Sequence, residues 1–195
     1  MKAALILWLM ASAVLSAQDR DGRDDRADRF VRELEDAARV ASVMVDGDVC
    51  RKIVTARAME YLLRNDPKDR YLAGDNYEVN HDAFDSVKKT LIRISRLVSV
   101  PADANLWMPI PGHTDKIRVV IRNAHELSQF WPWGALYQNM IPEMKTVLET
   151  GRRVTVTQKP GWVSVLAPVS DSLGDIVAVV EVASQRQLDP QGNVK

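Results

Sequence analysis

The stretch WVSVLAPVSDSLGDIVAVVEVA, residues 162–183, decides the fold. It holds two runs rich in Val, Leu and Ile, 162–169 and 176–183, around the segment Asp171-Ser172-Leu173-Gly174-Asp175. β-Branched and aliphatic runs of this length, separated by Asp, Ser and Gly, read as two antiparallel strands and their turn. Just before them, 152–158 alternates apolar Val154 and Val156 with Thr155 and Thr157, the pattern of a half-buried strand. Pro142 to Thr150 reads as a short helix, with Pro at an acceptable first position and Gly151 as its stop.

Further toward the N-terminus, 106–110 and 117–121 read as two more strands around a Pro-Gly-His turn. Residues 124–130 suggest one or two helical turns, and Trp131-Pro132-Trp133-Gly134 breaks them. The first half of the chain is helical in pattern. Phe30, Leu34, Ala37, Ala41 and Met44 form one stripe, and Val49, Ile53, Ala56, Met59 and Leu63 resume it after Asp46-Gly47-Asp48. Asn65-Asp66-Pro67 ends that long helix. A second helix over 80–99 starts at a capping Asn80, with Val79 placed to staple onto Phe84 and Asp82 near the positive end of the helix dipole. Its expected stripe is Phe84, Val87, Leu91, Ile94 and Leu97, with Pro101 as the stop. The expected class is α+β, long N-terminal helices packed on a single five-stranded antiparallel sheet.

Residues 1–17 have the form of a secretory signal peptide: Lys2, an apolar run from Ala3 to Leu15, then small residues before Gln18. The run is shorter than the roughly 20 residues that span a bilayer. This predicts an exported chain, periplasmic or secreted. Residues 18–29 hold five Asp and four Arg, so they read as a charged linker rather than a cation site. The domain is then 30–183, followed by a polar tail at 184–195. The 26 basic and 26 acidic side chains give no net charge, which argues against a nucleic-acid surface. One cysteine, Cys50, excludes a disulfide framework and reads as a buried small hydrophobe.

The order of elements resembles the extracytoplasmic Cache domains, PAS-like sensor modules of bacteria. Three stretches carry the likeness: a long helix after an export signal, PEMKTVLETGRRV at 142–154, and VSVLAPVSDSLGDIVAVVEV at 163–182. The resemblance implies a sensor that binds a small molecule and takes part in signal transduction. Asp171 matches the closing Asp of the family's penultimate turn. Phe130-Trp131-Pro132-Trp133 does not reproduce the family's Arg-then-Trp-Tyr ligand signature. The sequence has no second hydrophobic segment of spanning length and no output domain, so a membrane receptor or kinase partner is expected to carry the signal.

A ligand pocket needs apolar walls and a few placed polar groups. Trp107, Trp131, Trp133 and Tyr137 supply flat surfaces with donors at their edges. Arg118 and Arg122 lie four positions apart on an expected strand, hence on one face, and Arg118 can hold a carboxylate bidentately. Asp171 can take an ammonium or hydroxyl. No cofactor or metal is expected, because His81, His113 and His125 lack a ligand spacing. No hydrolase or nucleotide-binding motif is present, so no enzyme is expected. Two other readings stay open: a ligand-free protein whose helices form a homodimer or partner interface, and a periplasmic haem or metal binder.

Overall fold

The computed structural model describes residues 28–64, 79–131 and 135–185. The expected signal peptide, most of the charged linker and the end of the polar tail lie outside them. The chain divides into two compact units, 1–33 and 34–195. Of the first, only 28–33 are described, and they are helical. No helix among the described residues is long and apolar enough to cross a membrane.

The expected long N-terminal helix is three pieces. Residues 28–44 form α1, Gly47–Ile53 form α2 and Ala56–Arg64 form α3. Asp46 causes the first break: its side chain accepts the Asp48 and Val49 N–H groups and caps α2. Gly47 has a steric role that composition does not reveal. A Cβ there would lie 2.4 Å from the Ser170 carbonyl oxygen, so only glycine lets α2 approach that strand end. The second break falls at Val54, which pairs with Val79 as an isolated bridge. Each break rotates the stripe. Leu34, Ala37, Ala41 and Ile53 are buried as expected, but Met44 and Leu63 are exposed, and Val45, Cys50, Ala58 and Leu62 take the inner positions.

The second expected helix is α4, His81–Ser95. Asn80 caps it, accepting the Ala83 N–H at 3.2 Å. It stops six residues short of Pro101, in a turn at 96–97. The expected stripe therefore loses its last member. Val87, Leu91 and Ile94 are buried, while Leu97 is 56% exposed and Val98 turns inward. Val79 is held by its bridge to Val54, and Phe84 is half-buried beneath the Lys88 ammonium.

One antiparallel sheet carries the second half, with six strands rather than five. They are β1 (Ala102–Ile110), β2 (His113–Ile121), β3 (Gln138–Asn139), β4 (Val154–Val156), β5 (Trp162–Ser170) and β6 (Ile176–Gln185). Helix α5 (Pro142–Thr150) lies between β3 and β4, and Gly151 ends it at φ 68°. The order across the sheet is β3-β2-β1-β6-β5-β4, so β1 and β6 pair at the centre. The extra strand β3 is two residues long and pairs with Lys116 and Ile117. Residues 124–130 form a turn and an irregular segment, not helical turns.

Strand alternation assigns the faces. One face carries Trp107, Leu166 and Val179, which pack with Met144 and Val147 of α5. The other carries Leu106, Val165, Val180 and Val182 under the helices of the first half. Both faces are covered, which explains why β5 and β6 read as continuous apolar runs rather than alternating ones.

Candidate functional site

The face packed on α5 is apolar at one end and polar at the other. Asp103, Asn105 and Trp107 alternate along β1 and so project from this side. Glu181 on β6 pairs directly with Asn105, and Ser164 on β5 pairs with Ala183. All five side chains are buried.

Glu181 is the centre of this group. The Trp107 indole donates to its Oε2 at 2.9 Å, and the Ser128 hydroxyl donates to the same oxygen at 2.7 Å. The Ser164 hydroxyl donates to Oε1 at 2.8 Å. Burial pushes the Glu181 carboxyl above its ordinary pKa, while bonds from Ser128, Ser164, Trp107 and Asn105 pull it back in part. A carboxylate in a protein core costs free energy unless it is hydrogen-bonded, and here the Trp107, Ser128 and Ser164 donors converge on it.

The segment after β2 lies over these groups. Asp103 Oδ2 accepts the Leu127 N–H at 2.9 Å, and Oδ1 sits 3.0 Å from His125 Nδ1. Asn105 accepts the Asn123 N–H and donates to the Leu127 carbonyl. Gln129 donates to the Val156 carbonyl on β4. Asn123 also donates to the Ser95 hydroxyl at the end of α4.

The expected ligand residues are not brought together. Trp107 lies on this face, 1% exposed, with its indole N–H committed to Glu181. Trp131 is half-buried against the same apolar cluster. Tyr137 is also half-buried. Trp133 lies outside the described residues. Arg118 is on the opposite face, 1% exposed, in register with Met108. There it lines a groove of ≈ 560 Å³ with Arg51, Val54, Met59, Met108 and Ile110.

Arg118 and Arg122 do not share a face, and the register explains why. Trp107 pairs with Val119 but Leu106 pairs with Ile121, so Val120 is an extra residue in a bulge. One inserted residue inverts the alternation beyond it. Arg122 accordingly lies on the α5 side, its guanidinium 3.8 Å above the Trp131 ring centre.

Asp171 is committed to the fold. Its Oδ1 accepts the Leu173 and Asp175 N–H groups, and its Oδ2 pairs with Arg51 at 2.7 Å. Asp48 of α2 accepts the Ser172 N–H at 3.0 Å. The β5–β6 turn is thus the docking point for α2. Cys50, buried in that helix, has its thiol pKa pushed up to about 12, by burial first and by the Asp46 charge second.

Asp103, Asn105, Ser164 and Glu181 were not among the residues the sequence nominated, yet two signals pointed to them. Glu181 is the one charged side chain inside the apolar run 176–183, and Asp103 and Asn105 repeat at the strand period with Trp107. Among the described residues, no group of three or more His, Cys, Asp or Glu side chains is placed to hold a metal ion. No family model matches this chain, and comparison with curated proteins and with solved structures finds no match.

Proposed function

We propose that this chain is an exported, single-domain, Cache-like module that binds a small molecule and signals through a partner protein, a membrane receptor or kinase. The observation that carries the reading is the buried polar group around Glu181. A sheet face needed only for stability would be mostly aliphatic, as the opposite face is at its centre, where Leu106, Val165, Val180 and Val182 lie between the outlying Arg118 and Ser184. This one keeps a carboxylate, an amide, a hydroxyl and an indole N–H within one apolar wall. Buried polar groups fix geometry at a cost in stability, which suits a recognition surface. The central pairing of β1 with β6, with helices on both faces, supports the Cache-like architecture.

Native mass spectrometry of the chain purified from its own host, before and after denaturation, tests this. A stoichiometric small mass lost on denaturation is the expected result. A bare chain that takes up nothing from a host extract overturns the binding reading. A bare dimer supports the interaction protein instead. The adjacent Val43 and Met44 at the end of α1, both exposed, favour that second reading.

A further inference from the structure

We propose that residues 123–129 are a strap that lifts off the α5-side face while the sheet stays folded, hinged on Phe130 and Trp131 that stay packed on the apolar cluster, so that it gates the polar group around Glu181. The gating role rests on the binding reading above; the opening itself does not.

The strap and α5 are held on this face in different ways. Helix α5 covers the same face by inserting Met144 and Val147, both wholly buried. The strap has no such anchor between 124 and 129. Leu127, Ser128 and Gln129 are only half-buried, and Ala124, His125 and Glu126 are exposed. Its attachments are hydrogen bonds, most of them to side chains of the sheet: Asp103 to Leu127, Asn105 to Asn123 and Leu127, Glu181 to Ser128, with Gln129 reaching the Val156 carbonyl and Asn123 reaching Ser95. Such bonds exchange readily for bonds to water, whereas apolar burial does not.

The strap is also conformationally expensive where it is shut. Glu126 sits at φ 55°, a left-handed conformation that a residue with a Cβ adopts only when its surroundings impose it. Opening relieves that residue. It also leaves the acceptors of Asp103, Asn105 and Glu181 facing solvent. Because Asn123 donates to Ser95, the last residue of α4, opening is felt in the helical layer on the other side of the sheet. The strap therefore joins the candidate site to the helices through which a partner would read it.

Amide hydrogen exchange on the full chain, without added ligand, tests the opening. The Asn123, Leu127 and Phe130 N–H groups bond to side chains, to Asn105, Asp103 and Ser128 respectively. They should exchange at least about tenfold faster than the Val165 and Val180 amides in the sheet, and Ser128→Ala should raise the strap rates alone. A second readout uses Ser164→Cys, which places a thiol beneath the strap. Native-state labelling of that thiol should outpace that of Cys50, which is buried in α2 and lies outside the strap. Strap amides that exchange at the sheet's rate, in the wild type and in Ser128→Ala, overturn the proposal whatever the chain binds. A chain that binds nothing yet shows the fast strap defeats the binding reading and leaves the strap standing.

Discussion

The two faces of the sheet are built on different principles. Under the first-half helices, Leu106, Val165, Val180 and Val182 meet an aliphatic layer, and the buried polar exceptions, Arg118 and Ser184, lie toward opposite ends. Under α5 and the strap, Trp107, Leu166 and Val179 share the wall with Asp103, Asn105, Ser164 and Glu181. Aliphatic packing is tolerant and adds stability in proportion to area. A buried polar group is intolerant, since each member must find its partner. The comparison teaches that one face holds the domain together and the other holds a defined arrangement of donors and acceptors.

Substitutions at adjacent positions of β1 test that division most strongly. Trp107→Ala should cost about 4 kcal/mol, because it opens a cavity and strips Glu181 of a donor. Leu106→Ala, one residue away on the aliphatic face, should cost about 3 kcal/mol through its cavity alone. Urea denaturation measures both, and a larger loss at Leu106 would mean that the polar group is no less tolerant of substitution than the aliphatic layer.

The hairpin that docks α2 comes next. Gly47→Ala should lose about 2–3 kcal/mol, since the added Cβ meets strand backbone rather than a movable side chain. Asp171→Ala should lose about 2 kcal/mol by freeing two turn N–H groups and Arg51, without changing the α5 face. If either variant disturbs the Trp107 indole resonance as much as it disturbs α2, the two faces are not independent. Asn80→Ala, a cap remote from both, should cost about 1 kcal/mol.

The smallest effect is in pH. Burial raises the folded-state pKa of Glu181, so the folded protein holds this proton more tightly than the unfolded chain does. Its contribution to stability is full below the ordinary Glu pKa, about 4.3, and is lost as pH rises through the raised value. Glu181→Gln removes that dependence. Denaturation across this window should show the variant gaining on the wild type as pH increases. A parallel pair of curves would mean that Glu181 titrates as an ordinary carboxyl.

The β5–β6 hairpin was legible because its signals are local: two apolar runs and an Asp-Ser-Leu-Gly-Asp turn. The helix caps at Asn80 and Gly151 were legible for the same reason. Long-range geometry was not. The close approach of Gly47 to Ser170 and the pairing of Val54 with Val79 depend on tertiary contact, so the breaks in the helical run shifted the stripes. The bulge at Val120 put Arg118 and Arg122 on opposite faces, a change no alternation count detects. Aromatic residues drew attention as ligand walls, whereas the polar group sits on strands whose apolar neighbours read as plain core.

The central claim is that the face around Glu181 receives the small molecule. The Trp107 indole N–H reports on it directly, because it donates to Glu181. Its NMR resonance should be recorded for chain purified from the host and again after unfolding, removal of small molecules and refolding. The account predicts that the resonance moves between the two preparations and returns when the released material is added back. An indole resonance that stays fixed while a bound mass is lost would place the ligand elsewhere and contradict the claim.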